Sequence, residues 1–477
     1  MVRFNKDKYL KKLRFKKYKR YLYIGIPCIL VLLIGIYFAY SKFSVFKEEE
    51  VVRTTVGDFI SGDAVIGAYV DGEYSKTIPG KNDGYVVDKI VCDNDATASW
   101  DNNSWGIVLT NLTKRTKCNV YFETKKPSLT EVITTAMNSS PSMFATDDPG
   151  KNIRYIGADP SNYVYFNCSD YTNPTADTCE LWRIIGVFNN VTKSDGSKEN
   201  LVKIIRADSL GVYYWDYKKN GVGTSTTNDG SNDWTDSQLM MMLNPTNYLK
   251  SGYTNSSDII SSGSQQLYSK MGSYYNGTKG CEPDRVESGD SFSCREVDFT
   301  STGLKNDTTR NAIEEVVWNL GEIDDDDTFI ASMFYTAERG TTVYSGHATN
   351  WIGKIGLMYP SDYGYATSGG TTKDRAACLS KELYRWGSSD FSDCKGNDYL
   401  FDTYWQWTLS PSAGAYGVFG VYRDGSVGTG NYAKSTPAVR PALFLKSDIK
   451  VKSGTGESSD PYQLLYEYSG NHQMELD

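Results

Sequence analysis

A long stretch without charged side chains lies near the start of the chain. Residues 21–40, YLYIGIPCILVLLIGIYFAY, carry tyrosines at both ends, where aromatic belts form in membrane proteins. A helix of this length spans about the thickness of the hydrocarbon core of a bilayer. The pattern predicts an uncleaved transmembrane helix that acts as a signal-anchor. A cleaved signal peptide is the alternative, but its apolar core is usually shorter and small residues follow it.

Residues 56–126 show an alternation of apolar and polar side chains that is typical of half-buried strands. The segment AVIGAYVDGEYSKTIPG predicts two strands joined by a turn at Asp71-Gly72, and three further strands follow. We predict a small β-sandwich domain, similar in pattern to the immunoglobulin-like (Ig-like) repeats that act as spacers in bacterial surface proteins. The charged residues 41–55 are predicted to form a stalk ahead of it.

Residues 127–466 combine helical and β patterns and are predicted to form an α+β domain. Ser128 and Glu131 have the spacing of a capping box, which predicts that a helix begins this domain. Apolar side chains at helical spacing predict another helix over residues 310–323. The segments YWQWTLSP, YGVFGVYRDGSVG and AVRPALFLK are predicted closing strands, and residues 467–477 are a predicted flexible tail.

Charge is distributed unevenly along the chain. Residues 1–20 contain ten Lys or Arg residues and one acid, a local charge of +9, so the overall charge of −8 leaves −17 for the remainder. The positive-inside rule predicts that this basic segment is cytoplasmic and that the bulk of the chain is extracellular, in a single-pass protein of the cell membrane. An exterior that is so acidic makes nucleic acid a poor partner.

Eight of the nine cysteines lie outside the predicted membrane segment. An even number of cysteines in an exported region predicts disulfide bonds, although sequence alone does not fix their connectivity. Pairing between neighbours is the simplest arrangement: Cys92–Cys118, Cys168–Cys179, Cys281–Cys294 and Cys378–Cys394. Zinc is disfavoured because the chain has no C-x-x-C motif and only two histidines. No metal or other cofactor is predicted.

Signals for catalysis are weak in this chain. His347, in the segment SGHATNW, is predicted to be an exposed loop residue and not a catalytic base. Paired carboxylates for glycoside cleavage stay open as an alternative, because spacing in sequence does not show which of the 58 acids converge. No catalytic residue is predicted.

Aromatic side chains cluster towards the end of the chain. Rings flanked by polar groups are typical of carbohydrate and peptide sites, because a ring covers an apolar face of the ligand while polar groups fix its orientation. The alternative is that the same rings fill the core between sheets. The predicted ligand-binding residues are Trp351, Trp405, Trp407, Tyr416, Phe419, Tyr422, Arg423 and Tyr432.

Five segments occur in an order that resembles an uncharacterised family of bacterial surface domains. They are LWRIIGVF, NDWTDSQLMMMLN, GKIGLMYPSDYGYA, WTLSP and VRPALFLK, within residues 150–465. That family resembles the C-type-lectin-like superfamily, which also holds the formylglycine-generating enzymes. The resemblance implies that a late loop, residues 412–434 here, displays ligand-contacting residues. The reactive cysteine pair of those enzymes has no counterpart after Cys394, so their oxidase activity is not expected.

The closing segment AVRPALFLK places a charge and a proline inside an apolar run. Proline cannot donate a ladder hydrogen bond, and a buried charge needs partners. Members of the superfamily that the chain resembles carry an arginine near the end of the closing strand. We predict that Arg440 has a structural role, binding backbone carbonyls or a carboxylate, and that Pro441 lies at an edge or a bulge.

Together, these patterns predict a single N-terminal transmembrane helix, a small all-β sandwich domain and an α+β C-type-lectin-like head. The predicted function is that of a membrane-anchored bacterial surface protein that binds or adheres to a glycan, a peptide or another surface protein. Two alternatives stay open, a carboxylate-based hydrolase of the cell envelope and a purely structural envelope protein. A binding module is favoured over an enzyme.

Overall fold

The computed structural model describes residues 64–93, 96–110, 116–217, 230–245, 271–285, 292–324, 328–414, 416–430 and 432–466. The chain divides into two compact units, and the boundary lies between Lys125 and Lys126. The strands described in the first unit are β1 (Ala64–Val70), β2 (Glu73–Ser75), β3 (Tyr85–Cys92), β4 (Thr97–Asp101), β5 (Gly106–Thr110) and β6 (Thr116–Thr124).

The first unit contains a four-stranded sheet of order β2-β1-β6-β3 and the separate pair β4-β5. Strands β1 and β6 run parallel. Asp71 and Gly72 both have positive φ angles, 48° and 87°, and form the predicted hairpin turn between β1 and β2. Trp100 of β4 meets Phe122 of β6 edge-to-face at 5.3 Å, so aromatic rings fill the core between the two sheets.

The second unit contains most of the described secondary structure. The α-helices described in it are α1 (Leu129–Ser139), α2 (Gln238–Leu243), α3 (Asp307–Ala312), α4 (Ala331–Glu338), α5 (Pro360–Ala366), α6 (Arg375–Leu379) and α7 (Ser392–Gly396). Its strands are β7 (Phe144–Ala145), β8 (Ile153–Tyr155), β9 (Tyr163–Phe166), β10 (Glu180–Thr192), β11 (Lys198–Arg206), β12 (Lys279–Arg285), β13 (Phe292–Asp298), β14 (Val316–Asn319), β15 (Asn350–Gly353), β16 (Ile355–Gly356), β17 (Gln406–Pro411), β18 (Val418–Val421), β19 (Val427–Gly428), β20 (Ala442–Leu445), β21 (Lys450–Ser453) and β22 (Tyr462–Leu465).

A nine-stranded sheet organises the second unit. Its main path has the order β16-β20-β11-β10-β9-β22-β21, and β8 adds to β10 and carries β7. Residues 182–188 of β10 are all buried, because both faces of this central strand are covered and its run WRIIGVF is almost wholly apolar. The unit also begins and closes at one edge of this sheet, since the N–H of Val451 donates to the carbonyl oxygen of Pro127 at 2.9 Å.

The fold class predicted from the sequence is corrected in two respects. The described chain is mostly β-sheet with few and short helices, so the α+β description of the head is wrong. No helix in the described ranges is both long enough and apolar enough to cross a membrane, so the predicted transmembrane helix and signal-anchor have no support in the structure. Residues 21–40, with the basic segment 1–20, the stalk 41–55 and the tail 467–477, lie outside the described residues.

Individual helix predictions had mixed outcomes. The capping box is confirmed: Ser128 accepts from the N–H of Glu131, and the Glu131 carboxylate accepts from the N–H of Ser128, at the start of α1. The helix predicted over 310–323 is wrong, because α3 ends at Ala312 and β14 follows. The β14 sequence VVWN is rich in β-branched and aromatic side chains, which favour a strand over the helix that the apolar spacing indicated.

Arg440 and Pro441 stand just before the closing strand β20. The guanidinium of Arg440 is 4% exposed and donates to the carbonyl oxygens of Arg206 at 2.9 Å and Leu400 at 3.0 Å. Burial lowers its pKa to about 10. Strand β20 begins at Ala442, so the missing N–H of Pro441 falls outside it, while the carbonyl of Pro441 still accepts from the N–H of Arg206. Arg440 therefore ties two segments of the chain to the start of the closing strand.

Three of the predicted disulfides are present: Cys92–Cys118, Cys168–Cys179 and Cys378–Cys394. Cys281 is also disulfide-bonded, whereas the side chain of its predicted partner Cys294 lies outside the described part of the chain. The Cys378–Cys394 bridge closes a loop that contains the short 3₁₀ helix Leu383–Gly387. This loop contributes a residue to the site described next.

Candidate functional site

A pocket of about 980 Å³ opens beside the hairpin that joins β18 and β19. Aromatic residues form much of its lining: Phe329, Phe334, Tyr384, Trp405, Phe419, Tyr422 and Tyr432. Polar side chains of the hairpin and the segment after it complete the lining: Arg423, Asp424, Ser426 and Thr429. The pocket therefore combines an aromatic wall with polar groups on one side.

Trp405 and Tyr422 are a stacked pair in this wall. Gln406 pairs with Val421 in the β17–β18 register, so the antiparallel ladder brings Trp405 opposite Tyr422. Their ring centroids lie 5.4 Å apart, and the ring planes differ by only 16°. Gly428 in β19 leaves room for this arrangement, because a Cβ atom there would lie 3.1 Å from the ring of Tyr422.

The back of the pocket is formed by phenylalanines of the core. Phe334 of α4 and Phe419 of β18 are buried and meet edge-to-face, with ring centroids 5.3 Å apart. Phe329 packs against Phe334 at 5.4 Å. These rings anchor the hairpin to α4, so the pocket is built on packed elements and does not depend on loops alone.

Two tyrosines at the rim are unusually open to solvent. Tyr384 is 45% exposed and Tyr432 is 50% exposed. Tyr384 stands on the 3₁₀ helix inside the Cys378–Cys394 loop. Tyr432 contacts the ring of Tyr416 edge-to-face at 6.1 Å, and the ammonium of Lys434 lies 5.7 Å from its ring centroid. Large aromatic rings that stay exposed beside a cavity are typical of binding surfaces.

Asp424 supplies a charge at the tip of the hairpin. Its Oδ1 atom accepts hydrogen bonds from the backbone N–H of Ser426 at 3.0 Å and from the hydroxyl of Ser426 at 2.7 Å. Burial opposes ionisation, but these hydrogen bonds hold the pKa of the Asp424 carboxyl below its ordinary value. The carboxylate is therefore ionised at neutral pH, close to the exposed guanidinium of Arg423.

Five of the eight predicted ligand-binding residues line this pocket: Trp405, Phe419, Tyr422, Arg423 and Tyr432. Tyr416 stands behind Tyr432 and does not line it. Trp407 is 1% exposed, and its indole N–H donates to the carbonyl of Tyr213 at 3.0 Å. Trp351 is buried against Trp234. The structure therefore places Trp351 and Trp407 in the core, which was the alternative for these rings.

No family model, curated protein or solved structure matches this chain. The resemblance to the C-type-lectin-like superfamily therefore stays a prediction.

Several lining residues were missed at the level of sequence. Phe329, Phe334 and Tyr384 come from segments far from the closing hairpin, and only tertiary packing brings them to it. Asp424, at the tip of the hairpin, is not among the predicted ligand-binding residues. An exposed tyrosine inside a short disulfide loop was the one available signal for Tyr384, because such loops are held at the surface.

The position of His347 also corrects the sequence prediction. It is not an exposed loop residue: it is 9% exposed, and its Nδ1 atom lies 2.8 Å from Oε1 of the buried Glu322. Within the described residues, no group of three or more His, Cys, Asp or Glu side chains could hold a metal ion.

A second, smaller cavity of about 320 Å³ lies beside Lys203 of β11.

Proposed function

We propose that this protein is a carbohydrate-binding module and that the aromatic pocket beside the β18–β19 hairpin is its binding site. The stacked pair of Trp405 and Tyr422 is the observation that carries the proposal. A sugar ring has an apolar face that packs on an aromatic ring, and its hydroxyls need polar partners at the edge. Asp424, Ser426 and Thr429 supply such partners along one side of the pocket.

The dimensions of the pocket support this proposal. A volume of about 980 Å³ lies at the upper end of the range of ordinary ligand pockets, which is about 300–1,000 Å³. It could hold more than one sugar ring. The exposed rings of Tyr384 and Tyr432 at the rim extend the aromatic surface beyond the stacked pair.

The presence of a single carboxylate among the described lining residues favours binding over hydrolysis. Glycoside cleavage normally uses two carboxyl groups that face each other across the scissile bond. Among the described residues that line the pocket, Asp424 is the one carboxylate. This supports a binding module over the carboxylate-based hydrolase that the sequence left open.

The disulfides support an exported location for this function. Six described cysteines pair in three bridges, and Cys281 is also disulfide-bonded. Disulfides form and persist mainly in oxidising compartments. Glycans are abundant ligands there. We therefore propose that the protein binds its ligand outside the cytoplasm.

A glycan array followed by calorimetry tests the proposal. The purified protein is compared with Trp405→Ala, with Tyr422→Ala and with Tyr404→Ala. Tyr404 is a matched control, because it is 61% exposed next to Trp405 but does not line the pocket. We expect wild-type protein and the Tyr404 variant to bind the same glycan and both pocket variants to lose at least about tenfold in affinity, about 1.4 kcal/mol. Equal binding by all four proteins, or no glycan bound by folded wild-type protein, would refute the proposal.

A further inference from the structure

A buried ion pair lies in the core of the second unit, away from the aromatic pocket. The Nζ atom of Lys203, in the middle of β11, is 2.6 Å from Oδ2 of Asp362 in the first turn of α5. Both side chains are 0% exposed. Four aromatic rings surround the ammonium at 4.5–5.6 Å from its nitrogen, those of Phe188, Trp318, Tyr359 and Phe444. The amine and the carboxyl that would form an amide bond are therefore held in contact and are buried.

The two oxygens of the Asp362 carboxyl have different partners. Oδ1 accepts a hydrogen bond from Nη1 of Arg154 at 2.8 Å. Oδ2 faces Lys203 and accepts from the backbone N–H of Tyr359 at 3.0 Å. Arg154 is itself buried and held by Asp148, whose Oδ2 accepts from its Nε at 2.5 Å. Oδ1 therefore lies beside the guanidinium of Arg154, and Oδ2 lies beside the amine of Lys203.

We propose that Lys203 and Asp362 condense into an intramolecular amide, so that β11 and α5 become covalently cross-linked. The proposal concerns a modification site in the core and does not depend on the carbohydrate site. The alternative is a buried ion pair that stays non-covalent.

The reaction needs no added reagent. One proton passes from the ammonium of Lys203 to Oδ2, and the free amine then attacks Cγ of Asp362. Negative charge develops on Oδ1, where the guanidinium of Arg154 stabilises it in the manner of an oxyanion hole. A second proton moves from Nζ to Oδ2, the Cγ–Oδ2 bond breaks, and one water molecule leaves. The amide keeps one N–H and the Oδ1 carbonyl, which still accepts from Arg154.

The surroundings favour the neutral product over the ion pair. Removing two charges from water is costly, and a buried pair regains this cost only in part. Burial lowers the pKa of the Lys203 amine, which makes the unprotonated nucleophile more accessible. Burial opposes ionisation of Asp362 too, but the charges of Lys203 and Arg154 hold the pKa of its carboxyl below its ordinary value. In the proposed reaction Lys203 donates the proton that activates the carboxyl, because its Nζ atom is in direct contact with Oδ2.

Position also favours condensation. The effective concentration of two well-oriented groups within one molecule reaches about 10⁵–10⁸ M in favourable cases, which opposes the tendency of amides to hydrolyse in dilute solution. The product water has a way out, because Lys203 also lines the adjacent cavity of about 320 Å³.

Intact mass spectrometry of the purified, reduced full chain tests the proposal. We expect a mass one water molecule below that of the sequence. After tryptic digestion, we expect a branched peptide that joins the Lys203 and Asp362 segments, with no cleavage after Lys203. A mass equal to that of the sequence, or a branched peptide that maps to other residues, would overturn it. This readout uses wild-type protein and so does not require any variant to fold.

Two variants sharpen the assignment. Lys203→Arg keeps a positive charge but removes the amine, and we expect it to have the full mass of its own sequence. Lys354→Arg is the matched control, because Lys354 is a partly buried lysine whose Nζ donates to the carbonyl of Ile313 at 3.1 Å, away from the pair. We expect it to remain one water lighter than its sequence. A water deficit that persists in Lys203→Arg would overturn the proposal.

Discussion

Gly420 lies directly beneath the indole of Trp405: a Cβ atom at Gly420 would be 2.6 Å from Nε1 of that ring. Gly420 on β18 therefore leaves room for the indole of Trp405 in the pocket lining. The stacking of Trp405 on Tyr422 therefore depends on the absence of a side chain at residue 420.

Substitution at this glycine should disturb the site and also strain the strand, because a Cβ atom at Gly420 would lie 2.9 Å from the carbonyl oxygen of Gln406 as well. In Gly420→Ala, the new methyl group displaces the Trp405 ring, and we expect glycan affinity to fall about tenfold, or about 1.4 kcal/mol. Gly396→Ala is the control, because a Cβ there meets nothing within 4 Å. Calorimetry with the best glycan of the array measures the effect. Unchanged affinity in Gly420→Ala would mean that the position of Trp405 does not matter.

The Cys378–Cys394 bridge should support binding through Tyr384. Replacing both cysteines by serine frees the loop that carries this rim tyrosine, so we expect affinity to fall several-fold while the sheet stays folded. Replacing Cys168 and Cys179 removes a bridge that closes a different loop, and we expect it to cost stability but not affinity. Equal losses of affinity in both double variants would contradict a specific role for the Tyr384 loop.

Arg440 should be important for stability and not for binding. Arg440→Met removes the buried donor of the Arg206 carbonyl oxygen and one of the two donors of the Leu400 carbonyl oxygen, which keeps its hydrogen bond from Nε2 of Gln406. We expect a loss of about 1–3 kcal/mol in the free energy of unfolding. The control is Arg423→Met, whose guanidinium is exposed at the pocket and whose loss should lower affinity instead. Urea unfolding of both variants separates the two roles, and equal stabilities would refute the assignment.

Glu338 should make stability depend on pH. Burial raises the pKa of its carboxyl from 4.5 to about 7, although Arg339 lies 3.0 Å away. The folded state therefore holds this proton more tightly than the unfolded state, and the resulting stability is complete below about pH 4.5 and lost as pH rises through about 7. The difference of about 2.5 pKa units corresponds to about 3 kcal/mol.

Urea midpoints between about pH 5 and about pH 8 measure this loss. We expect the urea midpoint of Glu338→Gln to change much less with pH over this range, because glutamine carries no ionisable proton at this position. Glu457→Gln, at an exposed site, should retain the slope of the wild type. If Glu338→Gln and the wild type have the same slope, then another group is responsible.

The sequence predicted local features well. The capping box of α1, the Asp71-Gly72 turn and three cysteine pairings depend on residues close in the chain, and all are present. Local pattern failed over residues 310–323, where the same apolar spacing fits a helix and a strand. The partner β15, which decides for the strand, lies more than 30 residues further on.

The candidate site was predictable only in part. The aromatic residues of one hairpin were recognisable as a group, but Phe329 and Tyr384 reach the pocket through packing that no local pattern records. His347 was misjudged for the same reason, since its partner Glu322 stands in another segment. The core pair of Lys203 and Asp362 is separated by 159 positions and carries no motif that would join them.

The hydrogen bond between Pro127 and Val451 has a mechanical consequence. Tension applied to the chain just before Pro127 would act first on β21, the outermost strand of the nine-stranded sheet. The aromatic pocket belongs to the separate sheet β17-β18-β19. Tension at Pro127 is therefore expected to detach the edge strand β21 from the sheet before it disturbs the geometry of the pocket.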